Sequence, residues 1–180
     1  MADPAYKLEG HYTYGDYKLW PEGERWELIH GEAWAMSPGP NRRHQGLSGF
    51  LFNAIFDYLK GKPCLAYSAP FDILFPESSE ADEDEIDTVL QPDIVVVCDR
   101  SRLRPYGIRG APDLVVEIVS PYTSKRDLKD KFEVYENHGV REYWVVFPDG
   151  GYVHRYGLGS DGKYKPADIL VEKGVLESSV

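Results

Sequence analysis

Two short runs of aliphatic, largely β-branched residues stand out in the hydrophobic pattern of the chain. They cover residues 91–97 and 113–119, and their continuous apolar character predicts central strands that are covered on both faces. Residues 25–36 are typical of two strands around a Gly-containing turn, which predicts an N-terminal β-hairpin. Further strands are predicted at 64–68, 70–75, 142–147 and 151–156, the last two forming a hairpin around Asp149-Gly150-Gly151.

Two segments have the hydrophobic period of a helix. The first runs from about Asn41 to Lys60 and ends at Gly61-Lys62-Pro63. The second runs from Ser124 to about His138, begins with Ser124 and Asp127 in a spacing that resembles a capping box, and ends at Gly139. The pattern shows no internal repeat, so we expect residues 1–180 to form a single domain with its core at about 25–157.

The bulk composition agrees with a globular protein and excludes some classes. No apolar run approaches the roughly 20 residues that a bilayer-spanning helix needs, and the N-terminus has no basic start or apolar middle typical of a secretion signal. Cys64 and Cys98 are interpreted as reduced core residues, which predicts a cytoplasmic location. Residues 77–87 carry seven acids and almost no apolar side chain, so we expect an exposed, mobile loop there.

The charge is unevenly distributed along the chain. The net charge of −10 argues against strong non-specific binding to nucleic acid. Residues 100–131, however, carry eight Lys and Arg against four Asp and Glu. This basic surplus is either a chance cluster on a solvated surface or a surface that meets an anionic ligand.

Acidic residues interrupt both of the central apolar runs. Glu117 lies inside Leu114–Val119, and Asp93 opens Ile94–Val97. Burying a carboxylate is costly unless it is paired, hydrogen-bonded or bound to a metal. If the two strands are neighbours, about 4.8 Å apart, both carboxylates can lie within a few ångströms of each other. Such a pair suits Mg²⁺ and a phosphate ester, although a buried salt bridge for Glu117 and a turn-capping role for Asp93 are simpler alternatives.

Lys131 strengthens the interpretation of these acids as a site. Its spacing from Leu128 and Tyr135 places it on or beside the helix face that packs against the sheet. A lysine directed inward normally has an anionic partner. That partner is either Asp127, four residues earlier on the same helix, or a phosphate whose charge Lys131 offsets.

Two further residues are candidates for the same site. Glu27 is an acid within the apolar strand Trp26–Ile29, where it either completes a metal site or occupies an exposed alternating position. His44 opens the first long helix, and it either transfers a proton or contacts a phosphate, or it is a simple polar residue of the first turn. Ser120 has no partnered His and acid in a known motif, and the chain has no P-loop, dinucleotide fingerprint or zinc spacing.

In combination, these segments resemble the Uma family of restriction endonucleases, within the PD-(D/E)XK nuclease superfamily. The resemblance covers about residues 20–157 and depends on the order and spacing of several pieces. They are Glu27-Leu28-Ile29-His30-Gly31-Glu32, His44, Pro92–Val97, Ala111–Pro121, Asp127–Lys131 and Gly139–Trp144. Val119 stands where the superfamily has its lysine, and Lys131 matches the lysine that the family carries on the following helix.

The resemblance implies a restriction-endonuclease-like α/β core, with a mixed β-sheet flanked by helices. It implies that Asp93, Glu117 and the backbone carbonyl of Ile118 bind Mg²⁺ or Mn²⁺, with Lys131 and Glu27 as further catalytic residues and His44 as an accessory one. The implied reaction is metal-dependent hydrolysis of DNA by a cytoplasmic protein, for which a homodimer is a reasonable expectation because duplex cleavage needs two cuts. Five residues are expected to contact the DNA backbone: Arg100, Arg102, Arg104, Lys125 and Arg126.

Two other functions agree with the same residues. The first is an inactive module that keeps the nuclease fold and binds nucleic acid or protein, since a fold does not guarantee an activity. The second is a metal-dependent hydrolase of a smaller phosphoester.

Overall fold

The computed structural model describes residues 7–21, 23–36, 40–120, 128–166, 168–171, 178 and 180. Within them the α-helices are α1 (Tyr14–Tyr17), α2 (Arg42–Leu59) and α3 (Asp130–Asn137). The strands are β1 (Trp26–Ile29), β2 (Glu32–Ala35), β3 (Leu65–Ser68), β4 (Asp72–Leu74), β5 (Val89–Leu90), β6 (Ile94–Val97), β7 (Leu103–Arg104), β8 (Gly107–Arg109), β9 (Leu114–Ile118), β10 (Glu142–Phe147), β11 (Tyr152–Gly157) and β12 (Asp168–Val171).

The strands form two mixed sheets. The N-terminal sheet has the order β2-β1-β5-β4-β8-β7, and the central sheet has the order β12-β11-β10-β9-β6-β3. Each sheet contains one parallel pair, β4 with β8 and β9 with β10, among antiparallel neighbours. The predicted α/β class, with a mixed sheet, flanking helices and an N-terminal hairpin, is confirmed.

The apolar side chains of the central sheet separate onto its two faces. Val95, Val115 and Val145 lie in the cluster that also holds Val134 and Tyr135 of α3. The alternate residues of the same strands, among them Val96, Val116 and Trp144, pack with Leu59 and other residues of α2. Because side chains alternate along a strand, each helix covers one face, which explains the continuous apolar runs in the sequence.

Helix α2 was predicted at nearly the right place, and for α3 the predicted C-terminal end is confirmed, whereas the described helix begins only at Asp130, after a non-helical Lys129. Helix α2 begins after Asn41, whose side chain accepts a hydrogen bond from the backbone N–H of His44 (3.0 Å). Helix α3 ends before Gly139, which has a positive φ of 81°. The predicted first turn of this helix, Ser124 to Asp127, lies outside the described residues. Leu128, which the pattern assigned to the apolar stripe, is instead 41% exposed.

The interpretation of the two cysteines as reduced residues is wrong. Cys64 and Cys98 form a disulfide. Strand β3 pairs antiparallel with β6, with Leu65 opposite Val97. Cys64 comes just before Leu65 and Cys98 just after Val97, so the two cysteines are directly opposite each other. The expectation of a cytoplasmic location loses this support and stays a prediction. In the part of the chain that the structure describes, no helix has the length and apolar character needed to cross a membrane.

The acidic segment 77–87 is mostly exposed but has several anchors to the body. It contains a 3-10 helix at Glu83–Glu85 and a buried residue, Ile86. The carbonyl of Ile86 accepts a hydrogen bond from the N–H of Tyr14 (2.7 Å), and Glu83 forms an ion pair with Arg104 (3.3 Å). The segment is therefore fastened at its C-terminal part, while its mobility stays a prediction.

Candidate active site

The antiparallel pairing of β6 with β9 brings the two predicted metal-binding acids to corresponding positions. Ile94 is opposite Val116 and Val95 is opposite Val115, so the next step in this register places Asp93 opposite Glu117. Side chains two residues apart along a strand lie on the same face. Asp93 therefore shares a face with Val95, and Glu117 shares it with Val115, which is the face that α3 covers. The two strands are therefore neighbours, as the predicted site requires, and the two acids lie on the same face of the central sheet.

Glu117 is buried and accepts two hydrogen bonds on one oxygen. Its Oε1 receives the Lys131 Nζ (2.8 Å) and the Tyr135 hydroxyl (2.8 Å). Lys131 and Tyr135 are four residues apart on α3, so they share one face of the helix. Burial and the negative charge of Glu117 raise the pKa of Tyr135 well above its usual value, which keeps this hydroxyl protonated and able to donate.

Glu27 joins this cluster from the N-terminal sheet. Its Oε1 lies 2.7 Å from the Lys131 Nζ and accepts a hydrogen bond from the backbone N–H of Gln91 (3.0 Å). The side chain is 1% exposed, which rules out the exposed alternating position. Lys131 therefore bridges one carboxylate from each sheet. The alternative in which Lys131 pairs with Asp127 involves a residue outside the described part of the chain.

Asp93 sits beside this cluster, at the more open end of the site. Its Oδ2 accepts a hydrogen bond from the backbone N–H of Ile118 (2.7 Å) and lies 3.3 Å from the His44 Nε2. The Asp93 and His44 side chains are 19% and 14% exposed. Helix α2 therefore presents His44 directly to Asp93.

The donor atoms around Asp93 and Glu117 fit a hard divalent cation. Val119 donates its N–H toward β10, so the N–H and carbonyl of Ile118 point toward β6, where the Ile118 N–H meets Asp93. The residue opposite Ile118 in this register is Pro92, which has no N–H to donate to the Ile118 carbonyl. Two carboxylates and this carbonyl are oxygen donors of the kind that Mg²⁺ prefers.

The predicted DNA contacts are only partly described. Arg100 donates to the Pro63 carbonyl (3.3 Å), Arg102 donates to the Ala111 carbonyl, and Arg104 pairs with Glu83 (3.3 Å). Lys125 and Arg126 lie outside the described residues. The three described arginines therefore have intramolecular partners, and all three lie in the segment between β6 and β9, Arg104 at the end of β7.

Sequence reasoning missed the polar residues that support Glu27. Gln91 donates through its side-chain amide to the Asp72 Oδ1 (2.7 Å) and to the Tyr17 hydroxyl (2.8 Å), and it accepts from Arg25. Burial raises the pKa of Asp72, with the hydrogen bonds from Gln91 and Tyr17 opposing that shift. Gln91 lies two residues before the candidate ligand Asp93. This closeness to a candidate ligand was the signal in the sequence that could have drawn attention to Gln91.

Comparisons with known proteins identify relatives of this chain. A crystal structure from Anabaena variabilis ATCC 29413, described as "a putative nuclease belonging to DUF820", superposes with a TM-score of 0.71 and 22% sequence identity, over 93% of this chain and 89% of that chain. At this identity the likeness establishes the shared fold. An uncharacterized protein of Synechocystis sp. (strain PCC 6803) is 26% identical over 168 residues, 89% of this chain and 84% of the relative.

The family assignment follows from a match over most of the chain. The profile of the Uma2 family, described as "Putative restriction endonuclease", matches residues 14–180. This range includes Glu27, His44, Asp93, Glu117 and Lys131. The chain therefore belongs to the Uma2 family.

Proposed function

We propose that this protein is a metal-dependent endonuclease that hydrolyses phosphodiester bonds in DNA. One observation carries the proposal: Asp93 and Glu117 take corresponding positions on adjacent strands, and the Lys131 ammonium lies 2.8 Å from Glu117. The descriptions of the Uma2 family and of the Anabaena protein support the same class of reaction.

The residues that would hold the metal are Asp93, Glu117 and the backbone carbonyl of Ile118. When bound, Mg²⁺ or Mn²⁺ supplies Lewis acidity at a phosphate oxygen. The Ile118 N–H fixes the orientation of the Asp93 carboxylate through a 2.7 Å hydrogen bond. The two acids are thus held to the same short segment of β9 before any ligand arrives.

Lys131 contributes a fixed positive charge. Glu27 and Glu117 hold its ammonium between them at 2.7 and 2.8 Å, so the amine is oriented without the loss of side-chain entropy that an exposed lysine would incur. In this position it orients the attacking water and offsets the charge that develops on the phosphate. Tyr135 acts through Glu117 and is a positioning residue.

The substrate would approach from the side of Asp93 and His44. These are the partly exposed members of the site, whereas Glu27, Glu117 and Lys131 are buried. His44 stands beside Asp93 with an imidazole nitrogen that can hold or donate a proton at the edge of the site. We propose that it contacts a phosphate oxygen there.

The decisive experiment is cleavage of supercoiled plasmid with Mg²⁺ or Mn²⁺, using the wild type and Glu117→Gln. The amide keeps the shape of the side chain but removes its charge, so we expect cleavage to fall by at least about 100-fold. Glu142→Gln is the matched control, because Glu142 is also buried, in the next strand, but lies on the opposite face of the central sheet. Equal cleavage by wild type and Glu117→Gln would reject the assignment.

Metal binding and substrate range separate the alternatives. Mg²⁺ or Mn²⁺ binding by the wild type should be lost in Asp93→Asn, whereas an inactive module would bind nucleic acid without cleaving it. A hydrolase of smaller esters would act on nucleotide substrates and leave plasmid DNA and RNA intact.

A further inference from the structure

A second group of side chains of the types that bind metals lies at the ends of three adjacent strands of the N-terminal sheet. His30, Glu77 and Asp87 each offer one ligand atom, and these three atoms all lie within 4.8 Å of one another. Among the described residues, this is the one group of three or more His, Cys, Asp or Glu side chains whose ligand atoms lie this close together. None of the three belongs to the cluster of Glu27, Glu117 and Lys131, so a metal here is independent of the proposed nuclease activity.

The order of the strands explains why these residues meet. Strands β1, β5 and β4 are consecutive in the N-terminal sheet, with Leu28 opposite Val89 and Leu74 opposite Val89. His30 follows β1, Asp87 precedes β5 and Glu77 follows β4, so all three lie at the same end of these adjacent strands. Backbone hydrogen bonds continue the strand pairing to this end, from the Gly31 N–H to the Asp87 carbonyl (2.8 Å) and from the Phe75 N–H to the Thr88 carbonyl (2.9 Å).

The N-terminal segment places a second imidazole near this group, outside the set of His30, Glu77 and Asp87 whose ligand atoms all lie within 4.8 Å of one another. The His11 Nε2 lies 3.8 Å from the Asp87 Oδ2, and the N–H of the next residue, Tyr12, donates to the Gly31 carbonyl (2.8 Å). A Cβ added at Gly31 would lie 2.0 Å from the His11 ring. Glycine at this position therefore leaves the space in which the imidazole packs beside the hairpin turn.

We propose that His30, Glu77, Asp87 and His11 bind a divalent transition-metal ion of the Zn²⁺ class. Two imidazoles and two carboxylates form a four-ligand set of nitrogen and oxygen donors, which suits Zn²⁺ and differs from the all-oxygen set around Asp93. Ligand bonds of about 2.0–2.2 Å require the side chains to close by a small amount. His30 and Glu77 are exposed and can rotate into position.

The bound ion has a structural role in this proposal. Its ligands come from four separate places: the N-terminal segment, the β1–β2 turn, the residues after β4 and the end of the acidic segment 77–87. The acids of that segment create a negative potential that attracts a dication. Binding to the folded state and not to the unfolded chain stabilises the fold, and it fastens the turn that follows the strand carrying Glu27.

The test uses the full chain, stripped with a chelator and titrated calorimetrically with Zn²⁺, with Co²⁺ absorption as a second readout of ligand geometry. The variants are His30→Asn and Asp87→Asn. Asn is chosen at position 30 because this residue has a positive φ of 51°, which asparagine tolerates better than alanine. Circular dichroism of each chelated variant checks that it is folded.

We expect the wild type to bind Zn²⁺ with these ligands and both variants to bind at least about tenfold more weakly, since even a lost partner of a metal ligand costs that much. Glu80→Gln changes an exposed acid of the same segment outside the group, and it should bind Zn²⁺ like the wild type. Equal Zn²⁺ affinity in the wild type and in His30→Asn would overturn the proposal.

Discussion

The central sheet buries two glutamates in adjacent strands, and their surroundings differ in one decisive respect. Glu117 in β9 shares the Lys131 ammonium with Glu27, and the side chains of Glu27, Glu117 and Lys131 are 1%, 6% and 4% exposed. Glu142 in β10 shares the guanidinium of Arg155 with Asp168, but Arg155 is 21% exposed and Asp168 is 69% exposed. Both clusters combine two carboxylates with one cation.

Solvent access separates the two clusters. At Glu142 the second carboxylate is hydrated, and the buried one also accepts hydrogen bonds from Trp144 and Ser178 (both 3.0 Å). In the Glu117 cluster both carboxylates lie in the protein interior, where water screens charges poorly and electrostatic interactions are therefore stronger. A buried acid in a strand is therefore not by itself a sign of function. The enclosed cluster is the one to which we assign the proposed function.

The largest difference between the clusters should appear when each cation is removed. Lys131→Met leaves two carboxylates in the interior, so we expect a loss of about 3–5 kcal/mol in the free energy of unfolding. Arg155→Met should lose only about 1–3 kcal/mol, because Glu142 keeps its two neutral donors and Asp168 is hydrated. Urea unfolding followed by circular dichroism measures both values.

A matched control is Lys163→Met. Lys163 pairs with Glu136 (2.9 Å) but is 62% exposed, so its loss should stay within about 1 kcal/mol. Equal destabilisation by Lys131→Met and Arg155→Met would contradict the distinction between an enclosed and an open cluster.

An intermediate effect is expected from Tyr135→Phe, which removes one donor from Glu117 and leaves Lys131 in place. The free energy of unfolding should fall by about 1–3 kcal/mol at neutral pH. The pKa of Tyr135 is raised in the folded state, so its contribution to stability is present below the unfolded pKa of about 10 and is lost as the pH rises above that value. Unfolding curves at several alkaline pH values measure this slope.

As the pH rises from about 10 to 11, the free energy of unfolding of Tyr135→Phe should therefore fall less than that of the wild type. The difference should be up to about 1.4 kcal/mol per pH unit, because one ionising proton is involved. The Tyr164 hydroxyl donates to the Val140 carbonyl (3.0 Å), and burial and the charge of Glu136 raise its pKa as well, so Tyr164→Phe should change the alkaline slope in the same direction. An alkaline slope in Tyr135→Phe identical to that of the wild type would show that neither burial nor Glu117 raises the pKa of Tyr135.

The smallest effect should come from Asp168→Asn in the open cluster. Its pair with Arg155 (2.9 Å) reaches an exposed carboxylate, so we expect a change within about 1 kcal/mol that disappears in about 1 M salt. Thermal unfolding at low and high salt measures it. A salt-independent loss above about 2 kcal/mol, more than an exposed pair contributes, would mean that Asp168 belongs to the buried network.

Much of the fold follows from local patterns in the chain. The β-branched runs before Cys98 and before Ser120 became β6 and β9, and the helical period after Asn41 became α2. The short strands β5, β7, β8 and β12 and the four-residue helix α1 were not predicted. Two- to four-residue elements contain too few positions for a period to show, and pairing with neighbouring strands stabilises them.

The candidate site divides in the same way. Glu117 and Lys131 were found because each is a charged residue in an apolar pattern, which is a local signal. Glu142 carries the same signal at the start of an apolar strand, yet its partners make it a different kind of cluster. The pattern therefore locates buried acids but does not tell an enclosed pair from an open one.

The sequence by itself determined the longer strands and helices, their apolar faces and the buried positions of Glu117 and Lys131, because these depend on periods of two or 3.6 residues. The tertiary structure alone decided that Lys131 binds Glu27 as well as Glu117, that Cys64 meets Cys98, and that His30 meets Asp87. Each of these contacts depends on the register between segments far apart in the chain, and no local period encodes that register.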